Sequence, residues 1–146
     1  MHEQLVESRI AELKSRIATG TVTEGAVRAL IYAGRPGGAI DERAFETIRA
    51  MRTIDCGAQQ PTLAEFKAML RDQGFMLLLE PVTAVAALPL LIPDAESRRW
   101  AMSVVRQVLS ANGEISGEVE ARLQRVADLL QIDADDNATA SVSAAA

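Results

Sequence analysis

The sequence is poor in the side chains on which most enzymes and metal proteins depend. Its 146 residues contain a single cysteine, Cys56, so the chain can form neither an internal disulfide nor a cysteine-based zinc cluster. The only histidine, His2, would leave a Ser-His-Asp or Cys-His arrangement dependent on a terminal residue. Residues 34–38, GRPGG, lack the spacing and the following lysine of a phosphate-binding loop. We therefore expect a protein that is not an enzyme and holds no cofactor.

Positive charge is also in short supply. Fifteen basic residues stand against 20 acidic ones, a net charge of -5, and only Lys14 and Lys67 are lysines. This balance argues against a nucleic-acid-binding protein, which normally carries a strongly basic surface. The opening residues, MHEQLVESRIAELK, are amphipathic and charged throughout, unlike the apolar core of a signal peptide. These features predict a cytoplasmic protein.

The longest apolar run, residues 75–92, is FMLLLEPVTAVAALPLLI. It is barely long enough to cross a bilayer, and it is interrupted by Glu80, Pro81 and Pro89. We therefore predict two consecutive buried helical segments here and no membrane span.

Aromatic residues make up only 3% of the chain although apolar residues reach 49%, so small aliphatic side chains must form the core. No window alternates with the period of a strand, whereas apolar residues recur every three or four positions. The pattern predicts an all-α fold of about seven helices in one domain, residues 1–132, followed by a disordered acidic and Ala/Ser-rich tail, residues 133–146. The expected inward positions are Val6, Ile10, Leu13, Ile17, Ala26, Val27, Leu30, Ile31, Ala44, Phe45, Ile48, Met51, Leu63, Phe66, Leu70, Leu77, Ala101, Val104, Val105, Val108, Leu109, Val119, Leu123, Val126 and Leu130.

Helix boundaries are marked by capping residues and breakers. Thr62 and Glu65 have the spacing of a capping box, and Pro81 suits the first turn of a helix. Further starts are expected at Thr21 or Thr23, Asp41, Asp94 and Ser116, stops at Gly20 and Pro93, and a kink or stop at Pro89.

An internal repeat relates two parts of the chain at a shift of 75 positions. Each copy has a helix, a glycine turn, an isoleucine and a capped helix, which predicts two helix hairpins related by an approximate two-fold axis. The matched pairs are Val27 and Met102, Leu30 and Val105, Gly38 and Gly113, Ile40 and Ile115, Ala44 and Val119, Ile48 and Leu123, and Met51 and Val126.

The second glycine turn lies in SANGEISGEVEARL, residues 110–123. An EF-hand calcium loop counted from Asn112 needs a bidentate carboxylate at its twelfth position, where Leu123 stands. Helix capping explains the acids more simply, because Glu118 and Glu120 favour a positive helix start. The open alternative is a divalent-cation site formed by Asn112, Glu114 and Glu118.

Arg98, Arg99 and Trp100 form the other candidate site. Arginine and tryptophan are common anchors of protein interfaces, so the cluster is a candidate for protein binding. The alternative is that Trp100 fills the core while the arginines meet Glu96 or solvent.

The pattern of glycine, any residue and isoleucine, followed by an acidic helix, occurs twice in this sequence. With this pattern the chain resembles the tellurite-resistance TerB-like family. The similarity is clearest over residues 101–132, AMSVVRQVLSANGEISGEVEARLQRVADLLQI, and weaker over residues 27–52, VRALIYAGRPGGAIDERAFETIRAMR. Residues 5–132 are also similar to the C-terminal helical region of proteins related to polyhydroxyalkanoate synthases, most distinctively over residues 63–93. The synthase-like α/β-hydrolase part and its nucleophile motif are absent from this sequence.

The resemblance implies a seven-helix bundle. TerB-like proteins are linked to divalent-metal sensing through aspartate-rich turns and to stress-related membrane complexes, but Gly37 and Asn112 stand here where an aspartate commonly precedes the glycine. The leading hypothesis is a non-catalytic helical accessory or protein-interaction module linked to polyhydroxyalkanoate-type metabolism. It would bind a protein partner or a second copy of itself. The alternative is a TerB-like stress module that responds to a divalent cation.

Overall fold

The protein is all-α, as predicted. The computed structural model describes residues 2–34, 45–47, 62–110, 115 and 117–132, and no strand occurs in these ranges. Residues 45–47 are helical, and the helices with defined bounds are α1 His2–Ser15, α2 Val22–Gly34, α3 Leu63–Leu79, α4 Pro81–Ala86, α5 Leu88–Leu91, α6 Ala95–Ser110 and α7 Gly117–Leu129.

The second helix, α2, lies at the centre of the packing. It contacts α3, α6 and α7, and it also meets the short helices α4 and α5. Residues with small side chains allow these close approaches. A Cβ added to Gly25 of α2 would lie only 2.7 Å from Cγ1 of Ile92, so glycine lets α2 pack directly against the bend after α5.

Three helix starts are built by local side-chain contacts. The backbone N–H of Glu65 donates to Oγ1 of Thr62 (3.1 Å), and Oε1 of Glu65 accepts from the N–H of Thr62 (3.0 Å). This confirms the predicted capping box. Oγ1 of Thr21 likewise accepts from the N–H of Glu24 (3.1 Å), so Thr21 is the cap of α2, while Thr23 is buried.

Asp94 caps α6 as predicted. Its carboxylate accepts from both the N–H and the hydroxyl of Ser97 at 2.8 Å. Pro81 occupies the first turn of α4, which was also predicted. The kink or stop predicted at Pro89 is found as well: α4 ends at Ala86, and a separate short helix, α5, begins at Leu88 with Pro89 in its first turn, where proline needs no N–H partner.

The predicted inward positions in α2, α3, α6 and α7 are buried or half-buried. Phe45 is also buried, and its ring centroid lies 5.3 Å from that of Phe66. The prediction for Val6 was wrong: its side chain is 56% exposed although it shares a helix face with Leu13. Ile17 is buried but lies beyond the end of α1, because that helix stops at Ser15, well before Gly20.

The long apolar run is not two buried segments. It contains the end of α3, then α4 and α5, and several of its large side chains are exposed, namely Phe75, Leu78, Val82 and Leu90. None of the described helices is both long and apolar enough to cross a membrane.

Several predictions fall outside the described residues. These are the tail over residues 133–146, most of the helix from Asp41, the glycine turns of the repeat, the cap Ser116 and the lone Cys56. Within the described part, Val27, Leu30, Met102 and Val105 of the repeat are all buried, and the repeat itself stays a prediction.

Candidate interaction surface

A buried arginine fixes the position of α3, the helix that carries the candidate surface. Arg28 of α2 is 0% exposed. Its Nε donates to Oε1 of Gln73 in α3 (2.7 Å), and its Nη1 donates to the backbone carbonyls of Ile17 (2.7 Å) and Ala84 (3.0 Å). One guanidinium therefore joins α2 to α3, to α4 and to the turn after α1.

The carboxylate that offsets the positive charge of Arg28 is that of Glu24. Burial lowers the pKa of Arg28 to about 10, against the attraction of the Glu24 carboxylate, so the side chain stays charged at neutral pH. Gln73 connects Arg28 to Glu24, because its Oε1 accepts from Arg28 and its Nε2 donates to Oε2 of Glu24 over 3.4 Å. A buried cation held in this way is costly to disturb, since its loss leaves several buried acceptors without a donor.

Ion pairs on the surface hold α1 against α3. Arg9 Nη2 lies 2.7 Å from Oδ1 of Asp72, and Lys14 Nζ lies 3.6 Å from Oε1 of Glu80. Asp72 is only 13% exposed, so the Arg9 pair is the better shielded of the two.

An open apolar groove of about 300 Å³ lies between α2 and α3. Its lining comprises Ile31, Leu70, Arg71, Gly74, Phe75, Leu77 and Leu78. Apart from its chain neighbours and the nearby backbone of α3, no heavy atom lies within 4 Å of the place where a Cβ on Gly74 would stand, so α3 leaves open space beside two exposed side chains. Phe75 is 48% exposed and Leu78 is 61% exposed.

Two cations extend this surface along α3. Lys67 and Arg71 are exposed and stand about two turns and one turn, respectively, before Phe75. Arg71 Nε lies 3.9 Å from Asp72, a carboxylate that Arg9 already binds more closely. No ion pair within the described residues involves Lys67. The surface therefore offers a basic end followed by an apolar groove.

The structure separates the three members of the predicted Arg98–Arg99–Trp100 site. Trp100 is only 7% exposed, whereas Arg99 is exposed. Arg98 is half-buried and donates to backbone carbonyls of the same chain, those of Ile92 (2.7 Å), Leu130 (3.2 Å) and Pro89 (3.4 Å). The three side chains thus do not form one accessible patch.

The predicted metal site is only partly visible. Asn112 and Glu114 lie outside the described residues, and Glu118 is exposed in the first turn of α7. Within the described ranges, no group of three His, Cys, Asp or Glu side chains is placed to hold a metal ion. The nearby Glu120 pairs with Arg106 at 2.8 Å, and this hydrogen bond lowers the pKa of Glu120.

The groove was missed in the sequence because three of its residues, Phe75, Leu77 and Leu78, lie in the apolar run at the end of α3. Such a pattern predicts burial but does not say which face lacks a neighbour. Arg28 did leave a signal, since a cation inside AVRALIYA breaks an otherwise apolar helix and must find acceptors if that helix is buried.

No family model matches the sequence, and no solved structure matches it either. A protein of Rhizobium meliloti, described as an uncharacterized protein in the ackA 5' region, is 44% identical over 126 residues. These residues are 86% of this chain but only 17% of the relative, so the chain corresponds to a small part of a much longer protein. The TerB-like and synthase-related resemblances stay predictions.

Proposed function

We propose that this chain is a cytoplasmic, non-catalytic helical module that binds a protein partner through the groove between α2 and α3. The groove is the observation that carries the proposal. Large apolar side chains that stand exposed beside an open groove are typical of a binding site, and Phe75 and Leu78 are such side chains. The basic residues before them would select a partner with acidic groups near its apolar ones.

The relative supports a module that works as part of something larger. In that protein the matching segment accounts for 17% of the length. A helical region of this kind can serve either the remainder of its own polypeptide or a separate protein. The proposed link with polyhydroxyalkanoate-type metabolism rests on residues 63–93, which contain α3 and therefore most of the groove.

A pull-down with a matched pair of variants tests the proposal. Leu78→Ser removes a leucine that is 61% exposed in the groove, and Leu90→Ser removes one that is 65% exposed on α5. We expect the tagged wild-type chain and the Leu90→Ser variant to retain the same partner from the native lysate, identified by mass spectrometry, and Leu78→Ser to lose it. Retention by both variants, or no specific partner for the wild-type chain, would contradict the proposal.

The same pull-down is repeated with a chelator. A partner that survives chelation supports binding through the groove alone. A partner lost with chelator would instead support the divalent-cation alternative, in which Glu118 is the described candidate ligand.

A further inference from the structure

The basic and apolar surface of α3 has a counterpart of opposite charge on the same chain. Lys67 and Arg71 are exposed cations four residues apart on α3. Glu3 and Glu7 are exposed anions four residues apart on α1, and no ion pair within the described residues involves either of them. In both helices the spacing places the two charges on one face, about 6 Å apart along the axis.

Apolar residues accompany the charges on both surfaces. Val6 shares the helix face of Glu3 and is 56% exposed, although it continues the stripe that buries Leu13. On α3, the corresponding position between the two cations is Leu70, which lines the groove together with Gly74. The start of α1 therefore carries a projecting apolar side chain between acids, and the groove offers open apolar space beside bases.

We propose that the groove binds the first two turns of α1 from a second copy of this chain. Glu3 would pair with Lys67, Glu7 with Arg71, and Val6 would lie against Leu70 in the groove. The inference rests on the proposed function, because it names the partner of the same groove.

Within one copy, α1 forms ion pairs with α3 through residues other than Glu3 and Glu7. Arg9 and Lys14 tie α1 to Asp72 and Glu80 of α3. Within the described residues, α1 of the same copy thus reaches α3 at Asp72 and Glu80, and neither Glu3 nor Glu7 forms an ion pair with Lys67 or Arg71 of its own copy.

The donating and accepting surfaces differ, so copies would associate head to tail. Such association is open-ended unless a ring closes, and its average mass rises with protein concentration. Because two ion pairs at the protein surface contribute to it, added salt should weaken it.

The test is sedimentation equilibrium on the purified chain from micromolar to millimolar concentration. We expect the wild-type mass to rise above that of one copy. Glu7→Arg and Arg71→Glu should each weaken association at least about tenfold, because each places like charges together. Arg125→Glu, the same charge change at an exposed site on α7, should associate as the wild type does.

Exchanging the charges at positions 7 and 71 tests whether these two residues pair with each other. The double variant Glu7→Arg/Arg71→Glu, and an equimolar mixture of the two single variants, should both regain association because opposite charges face each other again. Thermal unfolding checks that each variant is folded.

A wild-type chain that stays a single copy at every concentration overturns the inference. So does an exchange that fails to restore association. If the Leu78-dependent partner is still recovered from lysate in those cases, the groove serves a different protein and the proposed function stands. If no such partner is recovered, both fail.

Discussion

Nε of Arg28 and Oε1 of Gln73 lie 2.7 Å apart, and both side chains are completely buried. The contact joins α2 to α3 across 45 positions of sequence. It makes a charged group part of the core, in a bundle whose other buried side chains are mostly aliphatic. The position of the groove depends on this contact, because the groove lies between the same two helices.

Replacing Arg28 should therefore destabilise the protein strongly. Arg28→Ala leaves Gln73 and two buried carbonyl oxygens without their donor, and we expect it to lower the free energy of unfolding by about 3–5 kcal/mol. Urea unfolding measures the loss. Arg125→Ala, at an exposed position of α7, should change stability by less than about 0.5 kcal/mol. Equal effects of the two changes would show that the buried network contributes little.

Two glycines should respond in opposite ways to the same substitution. Gly25→Ala places a Cβ 2.7 Å from Ile92, and we expect a loss of about 1–3 kcal/mol in the free energy of unfolding. Gly74→Ala meets no atom within 4 Å in the middle of α3, and we expect a gain of about 0.5–1 kcal/mol because alanine favours a helix. Thermal unfolding of both variants decides the matter. A loss at Gly74 would mean that the open space beside it is filled.

Asp94 should make the stability of the protein depend on pH in the acidic range. The N–H and then the hydroxyl of Ser97 lower the pKa of Asp94 below its ordinary value of 3.8. Because the folded-state pKa is the lower one, the carboxylate stabilises the protein above pH 3.8, and this contribution is lost as the pH falls through the folded-state pKa. Asp94→Ala should reduce the melting temperature at neutral pH, with a smaller difference in strong acid. Asp94→Asn keeps a capping group that does not titrate, so a pH response unchanged in this variant would contradict the explanation.

Trp100 should behave as a core residue. At 7% exposure, Trp100→Ala should cost about 3–5 kcal/mol of folding free energy, measured by urea unfolding. The adjacent exposed Arg99→Ala should change stability by less than about 0.5 kcal/mol. A stable Trp100→Ala variant that loses a binding partner would instead restore the interface role considered from the sequence.

Local chemistry made some elements predictable. The Thr62–Glu65 capping box and the Asp94 cap each depend on residues three positions apart, so short sequence motifs specify them. The inward faces of α6 and α7 were also predictable, because their apolar residues recur at helical spacing on otherwise polar helices.

Features that depend on distant neighbours were not predictable in the same way. The acceptors of Arg28 come from Ile17, Gln73 and Ala84, which are separate in the sequence. Phe75 is 48% exposed, but an apolar run at the end of a helix does not reveal which of its side chains lack a neighbour. For the groove, the sequence indicated Leu70 and Leu77 as inward residues but did not indicate an opening beside them.

The contacts of Arg98 bear on how the bundle opens. Its guanidinium binds Pro89 in the first turn of α5, Ile92 just after that helix and Leu130 just beyond α7, so neither helix end can fray without releasing the same side chain. Protein segments that share such a contact tend to open as one cooperative unit. Amide hydrogens around these two helix ends should accordingly exchange with deuterium at similar rates, although the ends lie far apart along the chain.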